Sequence, residues 1–286
     1  MRIFTLLLSA ILFPLAISAQ NSIRPNIYLQ DMQYYNPASV AIDSMQFMRA
    51  AIYTKYKAVD NEADIWKKPA NFWLSHAGRI GKSNSFYTLS YVSDAYSFFN
   101  RNSVYLGYLR RSRIGKSSFV SFGGRLVGNF DAIRWDKFKL PHRQTGTTKQ
   151  FNPDLDLGVT YERKGLRAGL GVKNVFANTG EADGATLLKN HREFNINLSY
   201  QQYIGRQFSV TPFVLLANER RTLIDTGLSF ALADKIRASY ALRVNELKSV
   251  ITLDAELYKG FGVGASYDRS SLVSDKNFDL IIWYRR

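Results

Sequence analysis

Three histidines are the first residues to test for chemistry in this 286-residue chain: His76, His142 and His191. None has a neighbour at metal-ligand spacing, and cysteine is absent, so no zinc site is legible. Ser75-His76 sets a hydroxyl beside a base, but both fall in a stretch that reads as extended. Neighbours on a strand point to opposite faces, so the two cannot form a nucleophile–base pair. "GVGASYD" (262–268) has no helix after it and is not a phosphate loop. Gly123-Gly124 reads as a backbone bend or a packing feature rather than a ligand cradle. The expectation is no enzyme and no cofactor.

The charged residues offer two other groupings. Lys82, Arg111, Arg113, Lys116, Arg163, Lys164, Arg206, Lys235 and Lys259 fall in or beside short turns. A ring of them would be a docking surface for an acidic partner, or simply a solvated, solubilising edge. Arg125, Asp156, Glu162, Arg167, Lys173, Arg237, Arg243, Asp254 and Glu256 lie instead on the polar face of alternating stretches. They carry both signs. A confined, partly dry space holding both signs forms ion pairs, whereas an anion-selective wall would show one dominant sign.

The elements that position these groups begin with a leader. "MRIFTLLLSAILFPLAISAQ" has a basic start at Arg2, an apolar run from Ile3 to Ile17 and a small-residue cleavage site after Ala19. It reads as a secretory signal peptide, too short for an anchor helix and interrupted by Pro14. Removing it takes one of 38 basic residues and leaves 37 against 23 acidic, a net +14. Export argues against nucleic acid as the partner of that charge. No later run of about 20 apolar residues could form a spanning helix.

Beyond the leader, apolar and polar residues alternate. "LDLGVTYERKGLRAGLGVKNVF" (155–176) sets Leu155, Leu157, Val159 and Tyr161 against Asp156, Gly158, Thr160 and Glu162. After "ERKG", Leu166, Ala168, Leu170 and Val172 oppose Arg167, Gly169, Gly171 and Lys173. This is a β-hairpin with one greasy face. The pattern predicts fourteen strands near 46–57, 70–80, 85–94, 101–112, 118–130, 155–163, 166–175, 193–204, 206–217, 222–233, 235–245, 248–258, 260–269 and 276–285. Short basic turns alternate with mostly longer connections at 58–69, 94–101, 131–154 and 174–192.

Gly, Ser, Asn and Thr on the polar face suit a crowded barrel lumen better than the wet face of a soluble sandwich. Strands of about 9–11 residues match a tilted bilayer crossing, and lipid forces them to close into a ring. The expected fold is all-β: a transmembrane antiparallel outer-membrane β-barrel of about fourteen strands, with short periplasmic turns and longer extracellular loops. The expected division is a signal peptide over 1–19, a periplasmic lead-in over 20–45 and the barrel over 46–286. An even strand number places both ends of the barrel on the periplasmic side.

The lead-in carries a further signal. "IYLQDMQYYNPASVA" (27–41), with Gln33, Tyr34, Tyr35, Asn36, Pro37 and Ala38, resembles the start of the PorP/SprF family of Bacteroidetes type IX secretion system membrane proteins. The chain departs at Ser39-Val40-Ala41, where the family usually continues Tyr-Ala-Gly. "FVSFGGRLVGNFDAIRWDKF" (119–138), the 152–176 hairpin and "LLKNHREFNINLSY" are similar to later family segments, in the same order. The resemblance implies a non-enzymatic outer-membrane component of type IX secretion. One family branch is tied to the periplasmic PorK–PorN lipoprotein ring, and the other is paired with large secreted adhesins of gliding cells. The basic turns fit the first role and the loops 131–154 and 174–192 the second. A channel for small solutes is the competing reading, and a soluble periplasmic sandwich the third. Locally, Pro37 holds Asn36 extended, suiting a lead-in along the periplasmic mouth. Tyr34 and Tyr35 are expected as interface aromatics or as ordinary turn residues.

Overall fold

The computed structural model describes residues 26–29, 32–39, 46–56, 70–96, 99–135, 146–182, 185–218, 222–270 and 276–286. The expected leader (1–19), the whole of the loop 58–69, and His142 lie outside the described residues. Seventeen strands follow in order: β1 (Gln46–Tyr56), β2 (Ala70–Arg79), β3 (Ser85–Tyr96), β4 (Phe99–Arg113), β5 (Ser118–Arg134), β6 (Thr147–Arg163), β7 (Leu166–Lys173), β8 (Thr179–Ala182), β9 (Ala185–Lys189), β10 (Glu193–Tyr200), β11 (Gln202–Ile204), β12 (Phe208–Asn218), β13 (Thr222–Leu232), β14 (Ile236–Arg243), β15 (Lys248–Tyr258), β16 (Phe261–Ser270) and β17 (Lys276–Arg285).

Each wall strand pairs with its sequence neighbour, β1 pairs with β17, and β10 pairs with both β7 and β12. β11 continues β10 after a break at Gln201. The result is a closed antiparallel barrel of fourteen strands, the described wall strands joining into one ring. Closure is what lipid demands, because an unpaired backbone group has no partner there.

The greasy rows face outward. Leu126 is 63 % exposed, and Leu157, Leu170, Ile196, Leu253 and Leu280 share that orientation. Their neighbours in sequence, Arg125, Asp156, Asn195, Asp254 and Asp279, are buried inside. That inversion of a soluble core is the period-2 pattern wrapped around a polar lumen.

Three connections depart from the expected layout. The loop expected over 131–154 is largely strand: β5 and β6 are 17 residues each and stay in register to Arg134↔Thr147. Asn152-Pro153-Asp154 reads as a turn in sequence, but at Pro153 β6 pairs on the β5 side only, because β7 ends opposite Leu157. The Pro153 carbonyl accepts from Asn178 Nδ2 on the unpaired side. Its missing N–H lies on that same side, where proline is tolerated. The expected loop 94–101 shrinks to residues 97–98 between β3 and β4. The loop 174–192 holds its own hairpin, β8–β9, outside the wall.

The short turns follow their backbone. Lys164-Gly165 and Lys259-Gly260 are two-residue turns with φ of 44° and 85°, and 41° and 87°. Positive φ at both positions matches the right-handed strand twist, and glycine supplies the second at no steric cost. β1 starts beside the C-terminus, with Gln46 N–H donating to Arg286 O at 3.1 Å, so both lie at the short-turn end.

Candidate functional site

The lumen is filled by the chain's own N-terminal segment. Of residues 26–39, Asn26, Tyr28, Gln33, Tyr34, Tyr35, Asn36, Ala38 and Ser39 are all buried. This corrects two expectations. The segment does not lie along the barrel mouth but runs lengthwise up the interior. Tyr34 and Tyr35 are not interface aromatics: they stand edge to face in the lumen with centroids 4.9 Å apart, Tyr34 against Trp73 and Tyr35 against Tyr28. The direction follows from the anchors. Ser39 meets Thr160, three residues from the short-turn end of β6. Asn26 meets Asp268 and Asp279, close to where β16 ends and β17 begins at the long-loop end.

The seat for Asn36-Pro37-Ala38 is a patch of wall without side chains. Gly123, Gly158 and Gly171 are paired across β5, β6 and β7 in one rung, and Gly169 lies beside it. A Cβ on Gly158 would fall 2.0 Å from Asn36 Oδ1, and one on Gly123 2.6 Å from Pro37 O. Only glycine permits so close a backbone approach. Asn36 Nδ2 then donates to Val159 O at 3.0 Å and Thr160 Oγ1 at 3.1 Å, while Asn36 Oδ1 accepts from Ala38 N–H at 2.9 Å.

The rest of the segment is gripped through its backbone. Arg125 donates from its two terminal nitrogens to Gln33 O at 2.7 Å and Tyr34 O at 2.8 Å, and Nε donates to Asp156 at 2.6 Å. Asn195 Nδ2 donates to Tyr35 O at 2.7 Å. Lys173, paired with Glu193 at 2.9 Å, stands 4.1 Å over the Tyr34 ring. At the far end Asn26 donates to Ser266, Asp268 and Asp279 and accepts from Arg243. The Tyr28 hydroxyl donates to Asp225.

The sequence-derived residues fall into three groups. Of the expected lumen charges, Arg125 and Arg243 touch the segment, Asp156 orients Arg125, and Arg167 pairs with Glu162 at 2.9 Å. Arg237 sits opposite Asp254 in the β14–β15 register, and Glu256 pairs with Arg285 near the short-turn end at 2.8 Å. Of the motif residues, Gln33, Asn36, Pro37 and Ala38 are in the seat just described. Of the basic turn residues, Lys82, Arg113, Lys116, Arg163, Lys164, Arg206, Lys235 and Lys259 are exposed at one end of the barrel. Arg111 is set apart: it is half-buried, 2.5 Å from Glu162 and stacked on Phe119. Ser75 faces inward and His76 outward against Tyr87, so the two diverge.

Sequence reasoning missed Asn26, Tyr28, Asn195 and the glycine rung. One signal for the rung existed: Gly158 and Gly171 are equidistant from the Lys164-Gly165 turn, which forces them to pair.

Solved barrels share this architecture at low identity. The Ralstonia pickettii toluene transporter TbuX is 10 % identical, with a TM-score of 0.56 over 94 % of this chain and 95 % of that one. The monoaromatic hydrocarbon channel CymD is 12 % identical, with a TM-score of 0.54 over 94 % of each. Acinetobacter baumannii Omp33 is 8 % identical, with a TM-score of 0.52 over 85 % and 98 %. At such identities the likeness is one of fold alone. No curated protein matches the sequence. The family description "Type IX secretion system membrane protein PorP/SprF" matches residues 17–282, which takes in the lumen segment and all but the end of the last strand. This chain belongs to the PorP/SprF family of type IX secretion system membrane proteins.

Proposed function

We propose that this chain is a non-catalytic outer-membrane scaffold of type IX secretion whose short-turn end faces the periplasm and docks acidic subunits of the secretion machine. The observation that carries this reading is the exposed ring of Lys82, Lys116, Arg163, Lys164, Arg206 and Lys259 at that end. Such a ring raises the encounter rate with an acidic surface and is screened by salt. The expected partner is a lipoprotein ring of the PorK/PorN kind. A secreted surface adhesin meeting the long-loop end is the second family-based option, and the family assignment alone supports it. Against a constitutive solute channel stands the burial of Asn26, Tyr28, Gln33, Tyr34, Tyr35, Asn36, Ala38 and Ser39 in the lumen.

The test is capture of purified ring subunits by the detergent-solubilised barrel. Lys116, Arg163, Lys164, Arg206 and Lys259 are reversed together to Glu. Arg111 and Arg113 are left alone, because Arg111 is paired with Glu162 and Arg113 holds its own turn through the Gly115 and Lys116 carbonyls. Capture should fall at least tenfold at low salt. Capture at full strength by the reversed barrel rules out the rim as the docking surface.

A further inference from the structure

We propose that the outer wall of β3 to β6 holds one anionic glycerophospholipid, its phosphate on Arg110 and an acyl chain in the groove that Gly124 opens beside it. The choice of a glycerophospholipid rests on the short-turn end facing the periplasm, as in the docking reading, and not on any partner bound there.

The groove lies between two outward rows of side chains. Toward the middle of the wall, Leu89, Leu106, Leu126 and Leu155 pair across β3 to β6. One row nearer the short turns stand Tyr87, Tyr108, Gly124 and Leu157. Gly124 leaves a gap in a row of large residues. The gap opens a groove of about 500 Å³, lined by Tyr87, Tyr108 and the four leucines of the deeper row. Gly124 is unlike Gly123 beside it. A Cβ on Gly123 would fall 2.6 Å from Pro37 O, so its bareness has an internal cause. On Gly124 a Cβ would meet Leu157 Cδ2 at 3.4 Å and Asp156 O at 3.8 Å, which are ordinary contacts. Nothing within the chain requires this glycine, although glycine weakens a strand interior.

The next row toward the rim supplies a polar lip: Ser85, Arg110 and Phe122. The Tyr108 and Ser85 hydroxyls lie 2.8 Å apart, so the Tyr108 ring turns its polar tip to this row and its apolar body to the groove. Arg110 is exposed here, whereas Arg111, next in the chain, faces inward to Glu162. No carboxylate among the described residues pairs with Arg110, and the outward positions of β2 to β6 hold none. Its charged neighbours at this end, Lys82, Lys116 and Arg163, are all basic. A guanidinium at the edge of hydrocarbon is stabilised by an anion, and a phosphate matches its fork of donors. A phospholipid presents phosphate at headgroup depth with hydrocarbon beneath it, the same order as Arg110 above the groove. The basic neighbours repel a headgroup that carries its own ammonium, which favours an anionic lipid over a zwitterionic one.

The test is native mass spectrometry of the purified barrel, without ring subunits, titrated with phosphatidylglycerol or phosphatidylethanolamine of the same acyl chains. The fold of each variant is checked by heat-modifiable gel mobility. Wild type should retain one phosphatidylglycerol in preference to phosphatidylethanolamine, and inorganic phosphate should not displace it. Arg110→Gln should weaken phosphatidylglycerol binding about fivefold, the worth of one basic residue at a charged lipid surface, and erase the preference. Gly124→Leu fills the groove and should weaken both lipids while keeping the preference. Arg134→Gln removes an exposed outward charge at the long-loop end and should change nothing. Equal retention of the two lipids by wild type, or unchanged binding in folded Arg110→Gln or Gly124→Leu, overturns the proposal. So does a dimer that Gly124→Leu dissociates, because a second copy would then fill the groove. None of these outcomes bears on capture of ring subunits by the rim.

Discussion

At the scale of single residues, two side chains carry the lumen. Arg125 bridges wall and segment, with its charge met by Asp156 and its other donors by backbone carbonyls. Replacing it with Met leaves a buried Asp156 unpaired, at a cost of about 3–5 kcal/mol. Urea unfolding in detergent should show that loss, and pairing Arg125→Met with Asp156→Leu should recover much of it. Tyr28 is the other. Its hydroxyl donates to Asp225, which also lies 3.5 Å from Arg243, so this tyrosine ties the segment to the wall's own ion pair.

At the scale of elements, the turns and the long hairpin show how local chemistry and pairing divide the work. Lys259 occupies a left-handed position that a lysine adopts at a cost and an asparagine adopts readily. Lys259→Asn should raise the unfolding free energy by about 0.5–1 kcal/mol, read from the urea midpoint. The alternation in β7, β10, β14, β15 and β16 was legible because each of these strands has lipid on one side and the lumen on the other. The upper halves of β5 and β6 were not. Their residues carry turn-type composition, Asn152-Pro153-Asp154 included, and only the continued pairing from Gly128↔Pro153 to Arg134↔Thr147 keeps them extended. Pairing across a register supplies what intrinsic propensity withholds.

At the scale of the whole molecule, the closed wall and the segment inside it form one object with two functional ends. The short-turn end presents exposed basic groups, and the long-loop end holds Asn26 among Asp268, Asp279 and Arg243. The docking reading belongs to the first surface.

The amino-acid order alone determined the barrel, its strand number and the outward greasy band, because a two-residue period needs no knowledge of distant contacts. It also determined the family resemblance, through a motif whose residues are local. Where that motif goes was decided only by tertiary structure. Nothing in Gln33-Tyr34-Tyr35-Asn36-Pro37-Ala38 itself distinguishes a lead-in at the barrel mouth from a plug within it. The choice depends on Gly123, Gly158 and Gly171 meeting in one rung, and on Arg125 and Asn195 reaching Gln33, Tyr34 and Tyr35 across 91 to 160 residues of chain, contacts that exist only once the ring has closed.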